Sequence, residues 1–413
     1  MAKKVIHRTP HLGGAPTRRQ VLAGAGMATA AAAVPLRYGL AASKLKVGIL
    51  LSRSGPQAQI GNDCQRGADV APPVLKQLGL PDVDYMLGDT ETKVDVARAR
   101  AEKMINDGAQ LMIGAFDSGQ TLAMAQVCES KNIPMVCNIS AVPKLTEQGY
   151  KWVFRNFPTG PMIVRDAFVN QKALFAMTGH TPKTVTVLHL NDTFGTSLMR
   201  GVNAMFPHFK MPYKFIEQIP YDPYGRSFAA EVRKVKASKP DAVWVVSRLL
   251  DAIAITKEMV RQRLDVMGIM STGPGWYEDA YLKAMGKYGN DVVSLVPWWD
   301  PNKPTSKIFA AAFHKKFPGR NINTNHTYAF EGVMIASDAF RRAGSTNPKA
   351  LRDAIRKTDI KNNVTTGPGI HFDAKGQNPD VKDSGIQNRD GKPLVILPKE
   401  AAVTKPIWPM RPF

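Results

Sequence analysis

The sequence predicts an α/β protein built on parallel sheets, and three observations carry the prediction. Apolar runs of five to seven residues recur along the chain, amphipathic stretches of helical spacing lie between them, and Pro/Gly-rich breaks interrupt the alternation at three places.

The first strand is expected at 45–51. Further strands are expected at 83–87, 111–116, 134–139, 184–190, 214–219, 242–246, 266–270 and 292–296, with a strand-like segment at 370–373. Among the helical stretches, Val94, Ala97, Ala101, Met104 and Ile105 fall on one face at 3.6-residue periodicity, while Arg98, Arg100, Glu102 and Lys103 turn away from it. The breaks are Phe157-Pro158-Thr159-Gly160-Pro161, the run from Pro297 through Trp298, Trp299 and Pro301 to Pro304, and Thr365-Thr366-Gly367-Pro368-Gly369. Three breaks of this kind suit three crossings between two lobes, with lobe 1 at 43–159 plus 300–366 and lobe 2 at 160–299 plus 367–413.

Composition bounds the function. With 44% hydrophobic and 22% charged residues, the 413-residue chain has ample apolar material for a core, so disorder is excluded as its default state. The formal net charge is +21; the first 42 residues hold six Lys/Arg and no acid, which leaves 49 Lys/Arg against 34 Asp/Glu, a formal +15, beyond them. Such a field favours encounter with anionic ligands or surfaces, and a solvated basic surface accounts for it equally well. Lys and Arg are spread along the chain without a dense basic run or interleaved aromatics, which argues against nucleic-acid binding. Cys64, Cys128 and Cys137 have no C-x-x-C spacing and read as buried thiols; a Cys128–Cys137 disulfide is the alternative in an oxidising compartment.

The start of the chain reads as an address. Lys3, Lys4, Arg8, Arg18 and Arg19 precede a fourteen-residue uncharged Ala/Gly-rich run at 21–34, with small residues around Gly39-Leu40-Ala41. That run spans about 21 Å as a helix, short of the ~30 Å hydrocarbon core. A signal peptide is therefore expected at 1–42, and Thr17-Arg18-Arg19-Gln20-Val21-Leu22 suits the twin-arginine route. The processed chain is then not an integral membrane protein.

Several short motifs follow in order: Lys46-Val47-Gly48-Ile49-Leu50 with Ser54-Gly55-Pro56 and Gly61, Gly114-Ala115-Phe116-Asp117-Ser118-Gly119, Pro143-Lys144-Leu145-Thr146, Val153-Phe154-Arg155, Asn191-Asp192-Thr193-Phe194-Gly195, Pro240-Asp241-Ala242-Val243 and Arg342-Ala343-Gly344-Ser345-Thr346. Together they resemble the leucine/isoleucine/valine-binding proteins, the type I periplasmic binding proteins of branched-chain amino-acid ABC importers, over nearly the whole chain beyond the signal. The resemblance implies two three-layer α/β lobes joined by three hinge crossings and closing on a ligand. It also implies a monomer in the periplasm, with ABC importer permease subunits and a small-molecule ligand as partners, no cofactor and no metal.

Site residues are expected beyond the carboxyl ends of the strands, where loops feed into helix N-termini. Ser118 opens a helix, so its hydroxyl and N–H face the positive end of a helix dipole, which suits a carboxylate; its position matches the family's carboxylate-binding serine, and an ordinary N-cap is the plain alternative. Ile139, Ser140 and Ala141 follow the next strand and match the family's second polar contact, where turn chemistry serves as well. Gln59, Ile60, Phe194 and Arg248 match its side-chain wall, the last three at places often aromatic in the family. Arg248 departs from that pattern, and a guanidinium at a strand end suits a bidentate pair with an anionic ligand or a solvent-facing position. At Gly275-Trp276 the family's amino-acid binders carry an acid for the ligand's ammonium. A buried ammonium without one is costly, so an α-amino acid requires Glu278 or Asp251 as substitute.

The expected ligand is thus a small organic carboxylate with an apolar or aromatic body. Branched-chain or other hydrophobic amino acids or amides are the alternative. An enzyme is the first rival class, yet the chain has no H-E-x-x-H, G-x-S-x-G or G-x-x-x-x-G-K-[ST] motif, and His189 with Asp192 lacks a nucleophile placed by sequence; no catalytic residue is assigned. A ligand sensor on the same fold is the second.

Overall fold

A computed structural model describes residues 44–413; the export signal expected at 1–42 lies outside the described residues. The first sheet holds β1 (Leu45–Leu51), β2 (Val83–Asp89), β3 (Leu111–Ala115), β4 (Met135–Cys137) and β5 (Val153–Arg155), all parallel, in the order β2-β1-β3-β4-β5. Helices cover both faces, which explains why β1 reads as a continuous apolar run. Val47, Ile49 and Leu51 enter the larger core with Ile60, whereas Leu50 packs with Met104 and Met112 on the opposite face. Gly61 lets the helix Ala58–Asp69 approach the end of β1, since a Cβ there would stand 1.9 Å from the Ser52 carbonyl oxygen.

The second sheet holds β6 (Thr184–Leu190), β7 (Lys214–Tyr221), β8 (Ala242–Val246), β9 (Gly268–Ser271) and β10 (Val293–Pro297), again parallel. After a two-stranded ribbon of β11 (Asp359–Ile360) and β12 (Ile370–His371), the hairpin of β13 (Asp383–Arg389) and β14 (Lys392–Leu397) adds to its edge in antiparallel sense. This lobe is therefore mixed rather than purely parallel. A tight turn at Asp390-Gly391 returns the chain directly, which only antiparallel pairing permits.

The chain leaves the first sheet after Arg155 and enters the helix Gly160–Thr178, which packs on the second sheet. It returns after Pro297 to the helices Pro304–Lys316 and Thr324–Ala343, which pack on the helices of the first. Thr366 N donates to the Trp298 carbonyl at 2.9 Å, tying the second break to the third. Past that point the chain stays with the first sheet, because Arg155 N donates to Gly376 O at 2.8 Å and Asn378 N to Arg155 O at 2.9 Å. It reaches β13 only over 379–382.

Cys64, Cys128 and Cys137 are free and buried, and burial pushes the Cys137 thiol up to about 12. Among the described residues, no helix is long and apolar enough to cross a membrane.

Candidate functional site

The carboxyl ends of strands from both sheets, β3, β4, β6, β8, β9 and β10 among them, converge on one cleft enclosing about 520 Å³ of empty space, part of it open to solvent. From the first sheet, β3 leads into Phe116, Asp117 and Ser118. Phe116 takes a φ of 84°, a strained backbone state for a bulky side chain, and lies against the cleft. Asp117 caps the helix Ser118–Lys131, accepting from the N–H of Gly119 at 2.9 Å and of Gln120 at 3.3 Å.

Beyond β4 lie Ile139, Ser140 and Ala141. The Ser140 hydroxyl donates to the Ser118 hydroxyl oxygen at 3.3 Å, so two buried hydroxyls sit together at a helix N-terminus. The backbone N–H groups of Ser140 and Ala141 have no protein acceptor among the described residues. This loop is held from behind by Arg155, which is fully buried and donates to Val142 O at 2.6 Å, Ser140 O at 3.3 Å, Thr146 Oγ1 at 2.7 Å and Gln377 Oε1 at 2.6 Å.

The second lobe supplies the opposite wall. After β6, Asp192 caps the helix Thr193–Phe209 through Gly195 N at 2.9 Å and places Phe194 in its first turn. After β8 stands Arg248, whose N–H donates to Asp251 Oδ1 at 2.9 Å. Its guanidinium reaches both lobes: Nη1 donates to Asp192 Oδ2 at 2.6 Å and Nη2 to Asp117 Oδ2 at 2.9 Å, while the group lies 5.3 Å from the Phe194 ring centre. Burial opposes the charge, yet the two aspartates outweigh it and lift Arg248 above the ordinary arginine range. The loop after β9 adds Pro274 and Tyr277, and the end of β10 adds Val296.

Six of the ten residues expected from sequence line this cleft: Ser118, Ile139, Ser140, Ala141, Phe194 and Arg248. Four do not. Gln59 points along its own helix, donating to Asp63 at 3.4 Å, and Ile60 is buried under a neighbouring chamber. Gly275 backs onto Arg248, since a Cβ would come within 2.1 Å of the Arg248 carbonyl oxygen, and Trp276 is buried with Nε1 donating to Ser247 Oγ at 2.5 Å. The structure adds Phe116, Phe157, Tyr277 and Asn325, of which Phe116 carries a sequence signal as the last residue of the strand expected at 111–116.

Charge in the cleft is balanced internally. Arg248 gives its terminal nitrogens to aspartates of this chain rather than leaving them free. Asp251 is occupied by the Arg248 N–H and by the Tyr221 hydroxyl at 2.5 Å. Glu278 accepts from Asn325 Nδ2 at 2.5 Å through one oxygen, its other oxygen is buried without a hydrogen-bond partner among the described residues, and burial followed by the Asp63 charge pushes its carboxyl well above the usual range. Neither acid proposed as a substitute lines the cleft.

Comparison with known proteins agrees with this architecture. The family model described as periplasmic binding protein matches residues 44–380. The Leu/Ile/Val-binding protein homolog 7 of Brucella suis is 23% identical over 384 residues, covering 88% of this chain and 94% of its own length. A leucine-binding protein, LivK, of Thermotoga maritima superposes with a TM-score of 0.72 at 19% identity, covering 85% of this chain and 97% of that one. An ABC-transporter solute-binding protein of Rhodopseudomonas palustris, solved in complex with benzoate, superposes at 0.73 with 19% identity, covering 88% and 98%. Two α/β lobes facing each other across a cleft at their strand ends, together with a match across residues 44–380, establish that this chain belongs to the periplasmic binding protein family, with the Leu/Ile/Val-binding proteins as its relatives.

Proposed function

We propose that the chain captures a small organic carboxylate with an apolar or aromatic body and delivers it to the permease subunits of a branched-chain-amino-acid-type ABC importer. The carrying observation is the pair of buried hydroxyls, Ser118 and Ser140, at a helix N-terminus beside aromatic walls, in a cleft lined by a single acid among the described residues, Asp117, which is paired with Arg248. Hydroxyls and backbone N–H groups at the positive end of a helix dipole suit a carboxylate, and Phe116, Phe157, Phe194 and Tyr277 suit its body. The benzoate complex of the Rhodopseudomonas protein supports an aromatic acid on this fold. On this reading the carboxylate sits on the serines, and Arg248 acts in closure rather than as its counter-ion. The protein works as a monomer in the periplasm, exported by a twin-arginine signal at 1–42.

The first test is thermal unfolding of the chain from about Ser43 with aromatic carboxylates, aliphatic carboxylates and branched-chain amino acids. Binding at 100 times Kd stabilises by ~2.7 kcal/mol. A shift with aromatic acids alone supports the reading. A shift with leucine or valine alone replaces it with amino-acid binding, the property named for the Thermotoga relative. Turnover of a bound compound would move the chain to an enzymatic role.

A further inference from the structure

We infer that Arg248 is the partition that limits ligand length, separating the serine-lined chamber from a second, outer chamber between the lobes. The inference rests on the carboxylate reading and names the residue that sets specificity within it. The outer chamber holds about 720 Å³ of empty space, part of it open to solvent, and is walled by Ile60 and Gln57 of one lobe and Tyr224, Phe228 and Leu250 of the other. Arg248 lines both chambers.

A continuous chain of polar contacts closes the passage between them. Gln57 Nε2 donates to Asp117 Oδ2 at 3.1 Å, Arg248 Nη2 donates to the same oxygen at 2.9 Å, and Arg248 Nη1 donates to Asp192 Oδ2 at 2.6 Å. The partition is rigid at its base. Asp251 accepts the Arg248 N–H, and the Arg248 carbonyl lies where a Cβ on residue 275 would collide. Side-chain charge is neutralised on both sides, so the barrier acts by shape and by the cost of parting buried ion pairs. Beyond it the chamber is apolar, with Tyr224 and Leu250 each 56% exposed. An unbranched apolar tail following a carboxylate seated at Ser118 would meet Arg248 before reaching that chamber.

The test uses a series of ω-phenylalkanoates from benzoate to 8-phenyloctanoate, measured by titration calorimetry. Wild type is expected to bind its best short member at least tenfold tighter than the longest; equal affinity along the series overturns the partition. The triple variant Arg248→Ala, Asp117→Asn, Asp192→Asn removes the barrier without stranding charges, and Asn retains both helix caps. It is expected to bind the longest acid at least tenfold tighter than the matching triple with Arg248→Met, which keeps the length of the side chain. No difference between the two overturns the role of Arg248. Where the Ala triple fails to fold by circular dichroism, Arg248→Lys keeps the charge with a smaller head group and is expected to gain at least threefold for the longest acid; no gain overturns the proposal. Failure of every acid to bind wild type defeats the carboxylate reading itself, a result separate from loss of the length limit.

Discussion

Replacing Arg155 with methionine removes a fully buried guanidinium that no carboxylate pairs with among the described residues. Burial pushes its pKa down to about 10, so it is charged at neutral pH. Its partners are neutral oxygens of Ser140, Val142, Thr146 and Gln377. The Thr146 hydroxyl can rotate to a new partner and the Val142 carbonyl keeps the Leu145 N–H at 3.3 Å, but the Ser140 carbonyl and Gln377 Oε1 are left bare at roughly 1–3 kcal/mol each. Methionine also abolishes the several-kcal/mol cost of burying the charge, which offsets part of the loss and leaves a net destabilisation of about 1–3 kcal/mol. At a urea m-value of roughly 3 kcal/mol per molar, the unfolding midpoint falls by about 0.7 M. Tryptophan fluorescence during urea unfolding reads this directly. Ligand affinity is expected to fall too, because the Ser140 loop loses its anchor. A midpoint within about 0.2 M of wild type would refute the view that Arg155 holds that loop.

Ser118→Ala and Ser140→Ala each remove a hydroxyl expected on the ligand carboxylate, at about 1.5–3 kcal/mol, or roughly 10- to 150-fold in Kd by calorimetry. Changes below about threefold in both would remove the serines from the site. Gly61→Ala sets a methyl 1.9 Å from the Ser52 carbonyl oxygen and displaces the Ser52 hydroxyl from Thr90 and Gln120, so a loss of about 1–3 kcal/mol is expected in urea unfolding. Unchanged stability would mean that the helix Ala58–Asp69 shifts freely. Glu278 keeps its proton in the folded state above the pH near 4.3 at which the unfolded chain releases it, so stability falls as pH rises, by up to about 1.4 kcal/mol per unit from this group. Asp63, held well below its usual range against the effect of burial by His326 and Arg66, acts in the opposite direction and only in acid. Glu278→Gln mimics the protonated form and should flatten the decline that begins as pH rises above the ordinary glutamate range; parallel urea midpoints for the two proteins there would contradict the assignment.

Much of the fold was legible because parallel strands covered on both faces read as apolar runs. The expected strands at 45–51, 184–190 and 242–246 coincide with β1, β6 and β8. The hairpin of β13 and β14 escaped that reading, since Asp383, Ser384, Gln387 and Asn388 are polar yet buried. Tertiary partners make burial of Gln387 and Asn388 tolerable, as where Gln387 Nε2 donates to Ile407 O at 2.7 Å and Asn388 Nδ2 to Trp276 O at 2.7 Å. The turn residues Asp390 and Gly391 were the local signal available.

The candidate site divides in the same way. Strand ends and the residues capping the next helix are local properties, so Ser118, Ser140, Phe194 and Arg248 could be named from spacing and family resemblance alone. Whether a side chain beyond a strand end faces the cleft depends on where the helix begins and on its turn, which moved Ile60 and Trp276 out of it. The partners of Arg248 were decided wholly by tertiary structure. Asp117 and Asp192 lie 131 and 56 positions away along the chain, and no periodicity or local spacing encodes pairings made between the ends of the neighbouring strands β6 and β8 and, for Asp117, only when two lobes face each other across a cleft.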